Sequence, residues 1–335
     1  MAASSDTSSA SASLDADQVE AECMSGIRVG ANVGLLDERI SGEFEDDPPS
    51  ASEPRWERPG AALDHATGRV MDELKRRAAL PGGSYPFQLV SNSLEYAPSK
   101  TLAYEFCLAV SRAATLTEGE HVRLPRNFER LSAIVARLYL GSGAEAVRIG
   151  WPSDNEDPAP HPKTFIDRIA LLRARSTPGS GEWELEPEEG FESSADNAKD
   201  HGMDFVAWKS FPDQRIGRLT IIGQCACGKN DQGDDRKAQE LNFDSVKLLL
   251  RRLTWPNPIR AFASPFHVPE PERFKALHAL PNLVFDRARI AAVCEGEPND
   301  SVLAEMRPRL AELISLAVER FKLAKPRRRG KRSRQ

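Results

Sequence analysis

No stretch of the sequence approaches the roughly eighteen consecutive apolar residues that a membrane-spanning helix needs, so a membrane-embedded protein is not expected. The first residues also lack a basic patch followed by an apolar core, which argues against secretion and for a cytoplasmic protein. Cysteine is sparse. The five residues Cys23, Cys107, Cys225, Cys227 and Cys294 are odd in number and scattered, a pattern that suits reduced thiols rather than a disulfide framework. Aromatic residues make up only 7% of the chain, and Trp151, Trp183, Trp208 and Trp255 are too dispersed to make a base-stacking platform. No internal repeat is present. What remains is the composition of a soluble globular protein: 335 residues, 40% hydrophobic and 28% charged, with a mean hydropathy of −0.47. A chain of that length can bury one large core or two ordinary ones.

The net charge of −5 conceals an uneven distribution. Residues 1–60 hold 13 acidic and 4 basic side chains, whereas residues 321–335 hold 8 basic and no acidic ones. The global acidity therefore does not exclude a polyanionic partner. The basic tail contains Lys325, Arg327, Arg328, Arg329, Lys331, Arg332 and Arg334. Such a tail gains affinity for nucleic acid by releasing phosphate counterions, although it reads no sequence. A solubilising end, or a partner for the acidic first 60 residues, is the plain alternative.

Residues 1–19 are rich in Ser, Ala and Asp, and residues 43–60 are acidic and proline-bearing; both predict disorder within a mostly disordered region 1–60. Order is expected over 61–320. Helical spacing of apolar residues predicts helices over 63–80, 100–116, 127–140, 164–175, 237–253 and 302–323. The helix at 127–140 carries Phe128, Leu131, Ile134, Val135 and Leu138 on one face, and Gly141 stands where a glycine C-cap belongs. Short apolar runs predict strands at 85–90, 145–150, 202–208, 218–225, 259–264 and 283–285. Residues 176–200 are acidic and aperiodic, as in a surface excursion. Helices interleaved with short apolar strands define an α/β domain.

Within this order, strand 202–208 places Asp204 on a face shared with apolar residues, an expensive position for a carboxylate that lacks a partner. Satisfaction by backbone N–H groups or by an arginine is the ordinary outcome. The next strand, however, ends in Gln224 and runs into Cys225-Ala226-Cys227-Gly228-Lys229. Two adjacent strands would then present a carboxylate and an amide carbonyl together, with the peptide carbonyl of Cys225 beside them. These are hard oxygen donors of the kind a divalent cation takes. A lysine close by can orient water or support a reacting phosphate. Zinc bound by Cys225 and Cys227 is disfavoured, because His201, His267 and Cys294 do not complete any recognised spacing. A cysteine hydrolase using either thiol with His267 lacks a signature.

A helix carrying Glu129, a strand, a strand carrying Asp204, and a strand ending in Gln224-Cys225-Ala226 follow the order of the PD-(D/E)xK restriction-endonuclease-like superfamily, which residues 127–265 resemble. The resemblance implies a central mixed β-sheet flanked by helices. It implies metal-dependent hydrolysis of DNA phosphodiesters with Mg²⁺, for which Mn²⁺ substitutes. Glu129 would match the family's helix carboxylate, Asp204 its metal-binding aspartate, and Gln224 the acidic residue of its last motif. Ala226 stands where the family has lysine, and Lys229 or Lys237 would take over that role. The string from Gly202 to Asn230 also looks like bacterial nucleases of phage defence. Partner proteins of a defence system and a homodimer stay open. So does a catalytically inactive relative that serves as a nucleic-acid-binding or protein-interaction module.

Overall fold

The computed structural model describes residues 3–26, 57–80, 83–90, 93–150, 165–176, 202–213, 217–228, 258–268 and 283–323, together with short pieces between them. The chain forms α1 (Ala3–Met24), α2 (Glu57–Ala78), β1 (Phe87–Val90), β2 (Ser93–Tyr96), α3 (Ala103–Arg112), α4 (Arg123–Leu140) and β3 (Ala144–Arg148). Next come α5 (Phe165–Ser176), β4 (Trp183–Glu184), β5 (Phe205–Lys209), β6 (Leu219–Cys225) and β7 (Arg251–Arg252). The last elements are β8 (Ile259–Ala263), β9 (Leu283–Phe285), α6 (Arg287–Gly296) and α7 (Ser301–Leu323). The protein is a mixed α/β fold built on a five-stranded mixed sheet.

That sheet has the order β3-β5-β6-β8-β9. β3, β5 and β6 form an antiparallel meander, while β6, β8 and β9 run parallel. Both faces of β5 and β6 are covered, which explains why these strands read as nearly continuous apolar runs. On one face, Phe205, Ala207, Ile221 and Ala261 meet Phe106, Phe128, Leu131, Leu310 and Leu313 from α3, α4 and α7. On the other, Val206, Trp208 and Ile222 pack with Ile169 and Leu172 of α5. The alternation along β5 follows from the two-residue period of a strand. The Phe205 ring of β5 lies over its β6 partner Gly223, where a Cβ would sit 1.9 Å from the ring, so the position admits only glycine.

Most predicted elements occur within a few residues of their expected bounds. Gly141 does end α4, in the left-handed region at φ 82°. α6 was not anticipated; it follows β9 directly, and Asp286 caps it by accepting from Arg289 N–H at 3.0 Å. Arg251–Arg252, placed in a helix by the sequence pattern, pairs as a short strand with Trp183–Glu184. The rest of 237–253, apart from Leu241, lies outside the described residues, as does most of 176–200.

Disorder over residues 1–19 is not what the fold shows. α1 spans Ala3–Met24, and Ala16, Val19, Ala21 and Cys23 pack on Val70, Leu74, Leu94, Tyr104 and Leu108. Two acidic residues of α1, which look solvated in the sequence, are buried. Asp17 receives a two-pronged pair from Arg287 at 2.7 and 2.8 Å, and a third bond from Arg77 at 2.7 Å. Glu20 accepts from Arg77 at 2.8 Å, from the Tyr85 hydroxyl at 2.8 Å and from the Tyr104 hydroxyl at 3.0 Å. Burial works to raise the Asp17 pKa, but Arg287 and Arg77 overcome it and hold the carboxyl well below the usual range. Order also resumes earlier than residue 61, since α2 starts at Glu57.

Candidate functional site

Three of the predicted site residues, Glu129, Asp204 and Cys225, come together where α4 crosses the junction of β3, β5 and β6, and Gln224 stands next to Cys225 in β6. Asp204 directly precedes β5 and is fixed by its main chain on both sides. Its carbonyl accepts from Ile149 and Gly150 N–H at 2.7 and 2.9 Å, and its N–H donates to the Gly223 carbonyl at 2.9 Å. The carboxylate, only 9% exposed as a residue, accepts from Cys225 N–H at 2.6 Å. That bond draws the end of β6 against the start of β5. Gln224 is buried, and its amide oxygen accepts from Leu241 N–H at 3.1 Å.

Glu129 reaches the same place from α4. Arg148, the last residue of β3, donates Nε to Glu129 Oε2 at 2.6 Å. The carboxylate lies over the backbone of Gly150, where a Cβ would stand 2.1 Å from Oε2. Glycine at this position is therefore what lets Glu129 cross the end of the strand. The Cys225 thiol marks the convergence: desolvation first, then the nearby Asp204 and Glu129 carboxylates, push its pKa well above that of a free thiol. A hydrogen bond with Ser132 opposes the shift. Cys225 is thus an inert thiol at neutral pH rather than a nucleophile.

Behind Arg148 runs an ionic network that the sequence did not disclose. Arg148 Nη1 and Arg168 Nη2 each donate to Asp157 Oδ2 at 2.9 Å, and Arg130 donates to Oδ1 at 2.8 Å. Desolvation alone would raise the Asp157 pKa; Arg148, Arg168 and Arg130 instead hold it at about 2. Arg168 also donates to the Arg148 carbonyl at 3.1 Å. Arg148 and Gly150 are the positioning residues that sequence reasoning missed. The available signal was an arginine set between the apolar Val147 and Ile149 of strand 145–150, closed by a glycine.

Ala226, at the position where the resemblance expects lysine, is 2% exposed and packs with Phe262, Leu277 and Val284. Its N–H donates to the Ala263 carbonyl at 3.0 Å. Lys229 and Lys237 lie outside the described residues, as do Lys325, Arg327, Arg328, Arg329, Lys331, Arg332 and Arg334. Among the described residues, no three His, Cys, Asp or Glu side chains gather as a metal-ligand set. The predicted set has two carboxylates and is completed by an amide oxygen and a peptide carbonyl. Its chemistry suits a hard divalent cation at Asp204, Gln224 and the Cys225 carbonyl. One oxygen of Glu129 is already committed to Arg148, one of Asp204 to Cys225 N–H, and that of Gln224 to Leu241 N–H, so each would offer an ion its remaining acceptor capacity.

The site thus belongs to a mixed α/β protein whose polar residues cluster at one end of an antiparallel meander. Compared with protein-family models, curated proteins and solved structures, the chain has no significant match in any of the three. Among the described residues, no helix is long and apolar enough to cross a membrane.

Proposed function

We propose that the chain is a metal-dependent nuclease hydrolysing DNA phosphodiesters, with its site at Asp204, Gln224, Cys225 and Glu129. The observation that carries this reading is that Asp204, whose carboxylate accepts from Cys225 N–H, also bonds the Gly150 backbone, over which the Glu129 carboxylate of a helix distant in sequence lies. The order along the chain is the one the PD-(D/E)xK resemblance requires, and the five-stranded mixed sheet would be the core of a restriction-endonuclease-like fold. Asp204, Gln224 and the Cys225 carbonyl would hold Mg²⁺ or Mn²⁺. The ion, when bound, would polarise the phosphoryl oxygen and acidify water. Cys225 N–H keeps the Asp204 carboxylate in place, and Arg148 aims Glu129 across Gly150. Lys229, or else Lys237, would orient the attacking water or support the phosphate. The basic tail would hold the nucleic-acid backbone. DNA as substrate, and a role in phage defence, rest on the resemblance.

Two observations favour a second reading, a non-catalytic module that binds nucleic acid or protein: Ala226 is buried in an apolar cluster, and Glu129 is tied to Arg148. Plasmid cleavage with Mg²⁺ or Mn²⁺, compared between the wild type and Asp204→Ala, separates the two. Cleavage lost in the variant supports the nuclease. Equal cleavage by both, or none by either, ends that assignment. The binding module instead predicts salt-sensitive DNA binding that survives Asp204→Ala and weakens when residues 325–335 are removed.

A further inference from the structure

The outer edge of the sheet faces a groove of about 550 Å³. β3 is the edge strand among the described residues, and its residues 144–149 all line the groove. Ile149 N–H turns inward to the Asp204 carbonyl, so the alternation of an antiparallel ladder turns the main chain of Ala144, Ala146 and Arg148 outward. Two of the outward groups are already satisfied. Ala144 N–H donates to the Gly141 carbonyl at 3.1 Å, and the Arg148 carbonyl accepts from Arg168 at 3.1 Å. The Ala144 carbonyl, both groups of Ala146 and the Arg148 N–H point into the groove.

This set is its own complement. A two-fold axis through Ala146 sets Ala146 against itself and Ala144 against Arg148 of a second copy. Each Ala146 N–H then meets an Ala146 carbonyl, and each Arg148 N–H meets an Ala144 carbonyl. The satisfied groups, Ala144 N–H and the Arg148 carbonyl, fall opposite each other. An ordinary strand in that place would aim a carbonyl and an N–H at these two engaged groups and leave its own unpaired, at a cost. A second copy has the same gaps and avoids it. Neighbouring registers are worse. Shifting the axis to Glu145 opposes two like charges, and shifting it to Val147 turns Ala146 N–H on the engaged Arg148 carbonyl. The rim also suits a copy of itself. Glu145 and Glu305 are exposed there, balanced by exposed Arg175 and partly exposed Arg309. The deeper Arg130, Arg137, Arg148 and Arg168 are ion-paired within the chain. Val302, 41% exposed on the α7 wall, adds apolar surface to be covered.

We propose that the protein forms a symmetric homodimer in which β3 pairs antiparallel with β3 of a second copy about a two-fold axis at Ala146. The pairing joins the two five-stranded sheets edge to edge and removes the open edge of each. The proposal does not depend on the nuclease reading.

Sedimentation velocity on the full chain tests it, and a reversible dimer is expected. Ala146→Pro removes the central N–H from both copies, at an edge position where β5 makes no use of that donor. It should weaken the dimer by about tenfold or more, with the circular dichroism of the wild type retained. Register is read by cross-linking. In the proposed pairing Glu145 lies opposite Val147 of the second copy, at a non-hydrogen-bonded pair whose Cβ atoms stand about 4.5–5.5 Å apart. With oxidised glutathione, Glu145→Cys and Val147→Cys combined in one chain should give disulfide-linked dimers. Neither substitution alone should exceed the wild type, which controls for the native thiols. Monomers throughout would leave the edge to a different partner and overturn the proposal. A dimer that Ala146→Pro leaves as tight, or cross-links that either single substitution gives, would also overturn it. If Ala146→Pro does not fold, cross-linking decides alone, and its absence from the double variant overturns the proposal.

Discussion

Replacing Gly150 by alanine should destabilise the fold through a residue that Gly150 does not contact in sequence. The added Cβ would meet Glu129 Oε2 at 2.1 Å and Cδ at 2.7 Å. A carboxylate at the end of a flexible side chain can rotate away, so the steric clash itself is relieved at little cost. What is lost is the bond from Arg148 Nε, whose side chain is 3% exposed and retains Asp157 and the Pro152 carbonyl among the described residues. A hydrogen bond between charged groups contributes about 1.5–3 kcal/mol, and that is the expected loss in urea denaturation. The cause can be isolated by a double-mutant cycle. In a Glu129→Ala background the bond is already gone and the carboxylate no longer occupies the space. Gly150→Ala should then cost less than about 0.5 kcal/mol. If the two substitutions simply add, Gly150 does not act through Glu129 and the account of the site's positioning is wrong.

Arg287→Met should cost about 3–5 kcal/mol, because it leaves buried Asp17 with Arg77 alone. Hydrogen exchange should show the protection of α1 lost well before that of α4. Asp157, held at about 2 from a usual 3.8, is a depressed carboxylate whose contribution is full above the higher value. It should vanish as pH falls through about 2, for a loss on the order of 2 kcal/mol, and Asp157→Asn should flatten that part of an acid titration of stability. Ala226→Lys, which restores the lysine of the resembled motif, should lower the melting temperature sharply. It would place a charge among Phe262, Leu277 and Val284 at a cost of roughly 3 kcal/mol or more. An unchanged melt would show that the side chain escapes the cluster.

The central sheet was readable because its strands are buried on both faces, and unbroken apolar runs such as Leu219–Ile222 have few other destinations. α4 was readable for the opposite reason, a one-sided apolar stripe with a glycine stop. The meeting of Asp204 with the end of β6 could be anticipated from strand adjacency. What held those side chains could not: Arg148 and Gly150 matter only through α4 crossing above them, a tertiary fact without a local pattern. α1 was misjudged because composition counts Asp17 and Glu20 as solvated charges. Their partners Arg77 and Arg287 lie far along the chain, where no window of local sequence can pair them.

The sharing of Asp17 between Arg77 and Arg287 also orders events in time. α1 leaves the ribosome well before α6, to which one half of its clamp belongs. The pairing closes a loop of 270 residues, and contacts of such separation are made late in folding. Until α6 docks, Arg77 and the two carboxylates of α1 hold an incomplete set of partners, so the helix gains its full anchorage only when the body beneath it is complete. Interactions absent from the folding transition state act mainly on the unfolding rate. The clamp is therefore a brake on opening rather than a guide to assembly.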